Sequence, residues 1–142
     1  FLYGVFWMAY SGFLIKVGDY IIPANKYIKA DSYSVYRNVQ DLDSYRDANG
    51  VLHRNALDHV ANKVEFETPA MLTNADFSNF MSQIQANYTV PKERKANVTL
   101  YIPEIDAYET QEMYMADPKP SIYTVANGVI RYNAIRFSFI GY

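Results

Sequence analysis

Most of the chain alternates apolar and polar residues with a period of two, and one segment departs clearly from that rhythm. Phe13-Leu14-Ile15-Lys16-Val17 and Tyr20-Ile21-Ile22 are strand-forming runs separated by Gly18-Asp19. Such a two-residue loop predicts a hairpin with a type II′ turn, the glycine taking positive φ. Pro23 ends the second run, because it cannot donate to a ladder. From Tyr27 to Val39, residues Tyr33, Val35, Arg37 and Val39 fall on one face and Ser32, Ser34 and Tyr36 on the other, which predicts a long strand. Val60 to Glu67 sets Val64 and Phe66 against Lys63, Glu65 and Glu67, a half-buried strand closed by Thr68-Pro69.

The departure is helical. Thr73 is an N-cap, with Asp76 three residues on as its reciprocal partner in a variant capping box. Leu72 and Phe77 match a hydrophobic staple. Phe77, Phe80, Met81, Ile84 and Tyr88 form one apolar stripe at helical spacing. Asn87 is a stop signal and Pro91 precludes continuation. A helix of about 74–87 lying on a sheet is expected.

Strands then resume at Val98-Leu100-Ile102 and at Tyr108–Met115. They continue through Ile122–Ala126 and Val129–Tyr132 around Asn127-Gly128, and end at Ile135-Phe137-Phe139. The phase slips between Tyr132 and Ile135, which predicts a bulge near Asn133-Ala134. The expected fold is α+β, mainly β: an antiparallel β-sandwich or barrel of about nine strands with one helix, in a single domain spanning 1–142.

A second Asn-Gly lies at 49–50, inside Tyr45–Arg54. A two-residue loop there would pair Ala48 with Val51, Asp47 with Leu52 and Arg46 with His53. Ala-Asn-Gly-Val thus occurs twice, at 48–51 and 126–129, which reads as shared turn chemistry rather than duplication. The first of these hairpins is polar, with Asp41, Asp43, Arg46, Asp47, His53 and Arg54 and little to bury. It is either a solvated excursion or an assembly arm, whose candidate residues are Arg46, Asp47, Asn49, Gly50, His53 and Arg54.

Composition narrows the function. Thirteen Lys and Arg against fifteen Asp and Glu give a net charge of -2, which argues against a protein that binds nucleic acid by neutralising phosphates. There is no cysteine, so stability comes from a core or from neighbouring subunits. Half of the residues are hydrophobic and 20% are charged, which excludes a disordered chain and leaves surface to be covered. Phe1–Trp7 is apolar and lacks the basic residues of a signal peptide. It reads either as sequence upstream of a start at Met8 or as an apolar docking arm. No stretch is long and apolar enough for a transmembrane helix.

Catalytic motifs are not found. The six glycines are scattered and none opens a phosphate-binding helix. There is no Gly-x-Ser-x-Gly and no cysteine nucleophile. His53 and His59 lack converging carboxylates for zinc, since Asp58 and His59 point apart in a strand. Asp41-x-Asp43-x-x-x-Asp47-x-Asn49-Gly50 fails as a calcium loop, because position 1 would be Tyr45 and position 12 Ala56. No enzyme, cofactor or metal is expected.

Glu104, Asp106, Glu109, Glu112 and Asp117 place five acids in 14 residues with no base among them. This is either a solvated edge or the lining of a channel that keeps DNA mobile by repelling phosphate. Glu104, Asp106, Glu109 and Glu112 are the lumen candidates. Fourteen tyrosines suit interfaces, since the ring offers contact area at little entropic cost.

Met8–Gly18, Asp41–Asp47, Gly50–Arg54, Val64–Leu72 and Ile135–Tyr142 resemble a family of small proteins encoded among the tail genes of siphovirus-like tailed phages and prophages. The resemblance covers about residues 8–142. The order of strands, one helix, then strands also resembles the tail-tube fold of tube proteins and of the N-terminal part of distal tail proteins. It implies a ring-forming subunit, hexameric by preference, that partners with itself and with other tail proteins. DNA would be passing cargo and no membrane would be involved. The implied location is the virion tail, with assembly in the host cytoplasm. Two other classes stay open: a tail terminator or head–tail connector, and a carbohydrate- or receptor-binding β-sandwich module.

Overall fold

Gly18 makes the first turn at φ 58, and a Cβ there would sit 2.5 Å from Asn87 Oδ1, so both the turn and this close approach call for glycine. It joins β1 (Ile15–Val17) to β2 (Tyr20–Ile21) in the predicted two-residue hairpin, Val17 pairing with Tyr20. The computed structural model describes residues 9–142, so the expectation for residues 1–7 lies outside the described residues.

The next segment departs from expectation. Residues 27–39 are not one strand. A helical turn, α1 (Ala24–Tyr27), and a 3-10 turn, Ala30–Ser32, precede β3 (Ser34–Asp41). Tyr27 and Ile28 are the cause. Both are pulled into the core, Tyr27 stacking on Phe80 at 4.5 Å, and burial outweighs the local alternation.

The chain continues through β4 (Tyr45–Arg46), β5 (Leu52–His53) and the 12-residue β6 (Ala56–Glu67). The two-residue β7 (Leu72–Thr73) leads into α2 (Asn74–Gln85). Thr73 caps α2 as expected, its Oγ1 accepting from the Asp76 N–H at 3.2 Å. The Asp76 carboxylate is directed to Lys26 Nζ at 2.9 Å. Phe80 and Ile84 of the predicted stripe are fully buried, with Phe77, Met81 and Tyr88 packed beside them. After α2 come β8 (Lys95–Ile102), β9 (Ala107–Met115), β10 (Ile122–Ala126), β11 (Val129–Tyr132) and β12 (Arg136–Gly141). The twelve strands among the described residues exceed the expected nine mainly because β4, β5 and β7 have two residues each.

Seven strands form an antiparallel sheet in the order β2-β1-β8-β9-β12-β6-β3. A second sheet runs β10-β11-β7, and β4 forms a two-stranded sheet with β5. The architecture is therefore mainly β and sandwich-like, with an open large sheet rather than a closed barrel. The slip at Asn133-Ala134 is not a bulge within one strand. It is where the chain leaves the small sheet at Tyr132 and enters the large one at Arg136.

One face of the large sheet is the core. Val64, Phe66, Val98, Leu100, Met113, Phe137 and Phe139 line it, and α2 lays Phe80 across Phe137 at 5.1 Å. Each such buried side chain contributes about 1.5–3 kcal/mol of transfer free energy. Strand alternation sends Lys63, Glu65, Thr99, Thr110, Glu112, Arg136 and Ser138 to the other, polar face.

Candidate assembly surfaces

The arm begins where β3 and β6 run past the core. Their pairing goes from Ser34↔Glu65 to Val39↔Val60, shifts, and ends at Asp41↔Ala56. Its base is clamped. Arg37 Nη1 donates to Glu109 Oε2 at 2.7 Å, and Asn62 Nδ2 donates to the other oxygen of Glu109 at 3.1 Å. Gln111 bridges to β6, accepting from the Asn62 N–H at 3.0 Å and donating to the Val60 carbonyl at 3.0 Å.

Beyond the base, most of the candidate arm residues act on the arm itself. Arg54 makes a two-pronged bond to Asp41, 3.0 Å from Nε and 2.7 Å from Nη2. Arg46 Nη1 donates to the Gly50 carbonyl at 2.9 Å. Asp47 Oδ1 accepts from the N–H groups of Asn49 and Val51, at 2.9 and 3.0 Å, and Oδ2 meets His53 Nε2 at 2.9 Å. Tyr45 stacks on His53 at 4.9 Å. The hydrogen bond with His53, helped by the two backbone donors, holds the Asp47 carboxyl below its ordinary range. The hydrogen bond from Arg54 does the same for Asp41.

The register differs from expectation by one residue. Tyr45 pairs with His53 and Arg46 with Leu52, leaving Asp47 bonded to Val51 across a three-residue loop. Gly50 takes φ 81 and Asn49 stays at negative φ, the pattern of a type I turn followed by a glycine bulge. The aspartate that accepts two backbone N–H groups stabilises this turn over the two-residue one.

Exposed apolar side chains are what pattern reading missed. Val39, Leu42, Tyr45, Val51, Leu52 and Leu57 all stand in solvent along the arm. All six are visible in the sequence, but the expectation of a polar hairpin with little to bury passed over them. A second such surface is β10, an edge strand whose five residues are all exposed, Tyr123 at 59% and Val125 at 66%. Its hairpin turns at the expected Asn127-Gly128, with Asn127 at φ 53, Gly128 at φ 74 and Ala126 opposite Val129, which is a two-residue type I′ loop.

The acidic segment is not uncompensated. Arg37 approaches Glu104 at 3.8 Å as well as Glu109, Lys95 lies 3.5 Å from Glu112, and Arg94 pairs with Asp117. The Tyr101 hydroxyl donates to Asp106 at 2.6 Å. The four lumen candidates also fail to share a surface. Glu104 and Asp106 lie in the β8–β9 turn, while Glu109 and Glu112 are three apart on one strand and face opposite sides. The ion pairs come from residues distant in sequence, whereas the opposite facing of Glu109 and Glu112 follows from strand alternation alone.

Among the described residues, no three His, Cys, Asp or Glu side chains converge as metal ligands. His53 is engaged with Asp47, and His59 with the Tyr142 carbonyl oxygen. No described helix is long and apolar enough to cross a membrane.

This arrangement of an open polar-faced sheet, one covering helix and projecting hairpins is similar to a chain in the tail of an empty gene transfer agent particle refined with C6 symmetry. That match has a TM-score of 0.55 and 12% identity, and covers 94% of this chain and 95% of that one. A chain of the native gene transfer agent virion is similar at a TM-score of 0.54 and 13% identity, covering 94% and 95%. The shared property is the fold. By sequence, the chain belongs to the family of unknown function DUF6711, whose profile matches residues 8–142. A search of the curated proteins finds no match.

Proposed function

We propose that this protein is a non-enzymatic structural subunit of a phage-type tail, a ring-forming component of the tube or of its distal end. The observation that carries the proposal is the arm, internally braced yet lined with six apolar side chains that stay about half exposed among the described residues. A solvated excursion has no use for such a surface, whereas a subunit interface does. The likeness of the whole fold to a chain in a six-fold tail supports a hexameric ring with other tail proteins as further partners. The virion tail is then its location, after assembly in the host cytoplasm.

DNA is passing cargo in this role, and the polar face of the large sheet is the surface suited to line its path. Three of the cations on that face, Lys63, Lys95 and Arg136, are each paired with a carboxylate of Glu65 or Glu112, while Lys16, opposite Thr99, makes no ion pair among the described residues. Paired cations hold phosphate weakly, whereas free ones would bind DNA and stall it. Of the four acidic candidates, Glu112 belongs to this lining.

Light scattering of the purified protein, alone and with other tail components, followed by negative-stain imaging, tests the proposal. Rings or tubes are expected. A strict monomer at tens of micromolar under both conditions overturns it.

A further inference from the structure

The two exposed apolar surfaces sit at opposite ends of one strand. β6 runs for 12 residues from Ala56 to Glu67, about 36 Å at 3.3 Å per residue. The arm projects beyond its Ala56 end, where Asp41 pairs with Ala56. The small sheet follows its Glu67 end, where Arg136 pairs with Glu67 and the chain arrives from β11. One copy's arm is therefore kept from its own β10 by the length of the sheet.

Their charges are complementary. Residues 41–59 carry four aspartates against two arginines, while residues 118–134 carry Lys119 and Arg131 and no acid. The chemistry of the two apolar sets also matches: Leu42, Val51, Leu52 and Leu57 on the arm, Ile122, Tyr123 and Val125 on β10.

Resting on the ring-forming role above, we infer that the arm of one copy docks on the exposed β10 face of a second copy placed further along the strand axis. The contact is heterologous, because its two halves are different surfaces at opposite ends of the chain. Repetition along that axis therefore stacks copies in an open series rather than closing a dimer. Ring closure then falls to other surfaces, so stacking and ring formation are separable.

The chain's lack of cysteine makes the test clean. Val51→Cys and Val125→Cys are prepared as separate chains, both at exposed positions that tolerate change. The two are co-assembled and treated with a short bismaleimide, with Val51→Cys plus Ile21→Cys on β2 as the control pair. A crosslinked dimer in the first mixture, absent from the control and from each variant alone, is the expected result. Val125→Asp should in addition give rings that no longer stack. Stacks that form without the 51–125 crosslink overturn the docking while leaving the ring-forming role intact. A crosslink within Val51→Cys alone shows symmetric arm-to-arm pairing and overturns it too. Variants and parent that all remain monomeric overturn the role itself and the docking with it.

Discussion

The same four residues, Ala-Asn-Gly-Val, make two different turns in this protein. At 126–129 they form a two-residue type I′ loop, with Asn127 and Gly128 both at positive φ. At 48–51 only Gly50 has positive φ, and the loop widens to three residues. The difference lies in the residue before. Asp47 offers a carboxylate that accepts from Asn49 and Val51, holding a type I turn, while Val125 has no acceptor to offer. A turn motif is thus a set of permitted conformations, and one neighbouring side chain selects among them.

The scale for testing this contrast comes from the core that neither loop touches. Phe80→Ala should cost about 3–5 kcal/mol in denaturant melts, the usual penalty for emptying a buried aromatic site. A loss below 1 kcal/mol would mean that the α2 stripe contributes little to the fold.

Within the loops, Asn127→Ala should cost about 1 kcal/mol, because alanine tolerates the left-handed region poorly. Asn49→Ala should cost only a few tenths, since Asn49 is at negative φ. Equal losses in the two melts would erase the distinction. Asp47→Val should convert the first loop toward the second. NMR of the variant is then expected to show Asn49 moving to positive φ and Ala48 pairing with Val51. An unchanged register would show that the Tyr45–His53 stack, not the aspartate, sets the loop.

The smallest effects concern charge. Arg46→Ala with Arg54→Ala should leave stability nearly unchanged, as for other exposed pairs, yet weaken self-association. Unchanged assembly across several salt concentrations would leave the arm's charges without a role between subunits. Acid should also separate the loops. Asp41 and Asp47 have depressed carboxyl values in the folded chain, so their stabilisation is complete above the ordinary carboxylate range and disappears as pH falls through the depressed values. Amide exchange should therefore quicken at Asn49 and Val51 in acid, with no matching change at Asn127 and Gly128.

Local chemistry alone determined the Gly18-Asp19 hairpin, the Asn127-Gly128 turn, the Thr73 cap, the buried stripe of α2 and the mainly β architecture. These depend on φ preferences and on periodicity, which neighbours in sequence set. Tertiary structure alone decided the rest. It turned residues 24–32 into short helical turns because Tyr27 and Ile28 had a core to enter. It split the final strands between two sheets at Asn133-Ala134. It brought Arg37, Arg94 and Lys95 to an acidic run that contains no base of its own, so a patch that looked unneutralised is largely paired. It also set the arm and β10 at opposite ends of β6, a relation carried by strand pairing between residues far apart in the chain. Hydrophobic burial and ion pairing act through space, so their outcome depends on which distant segments the fold makes adjacent.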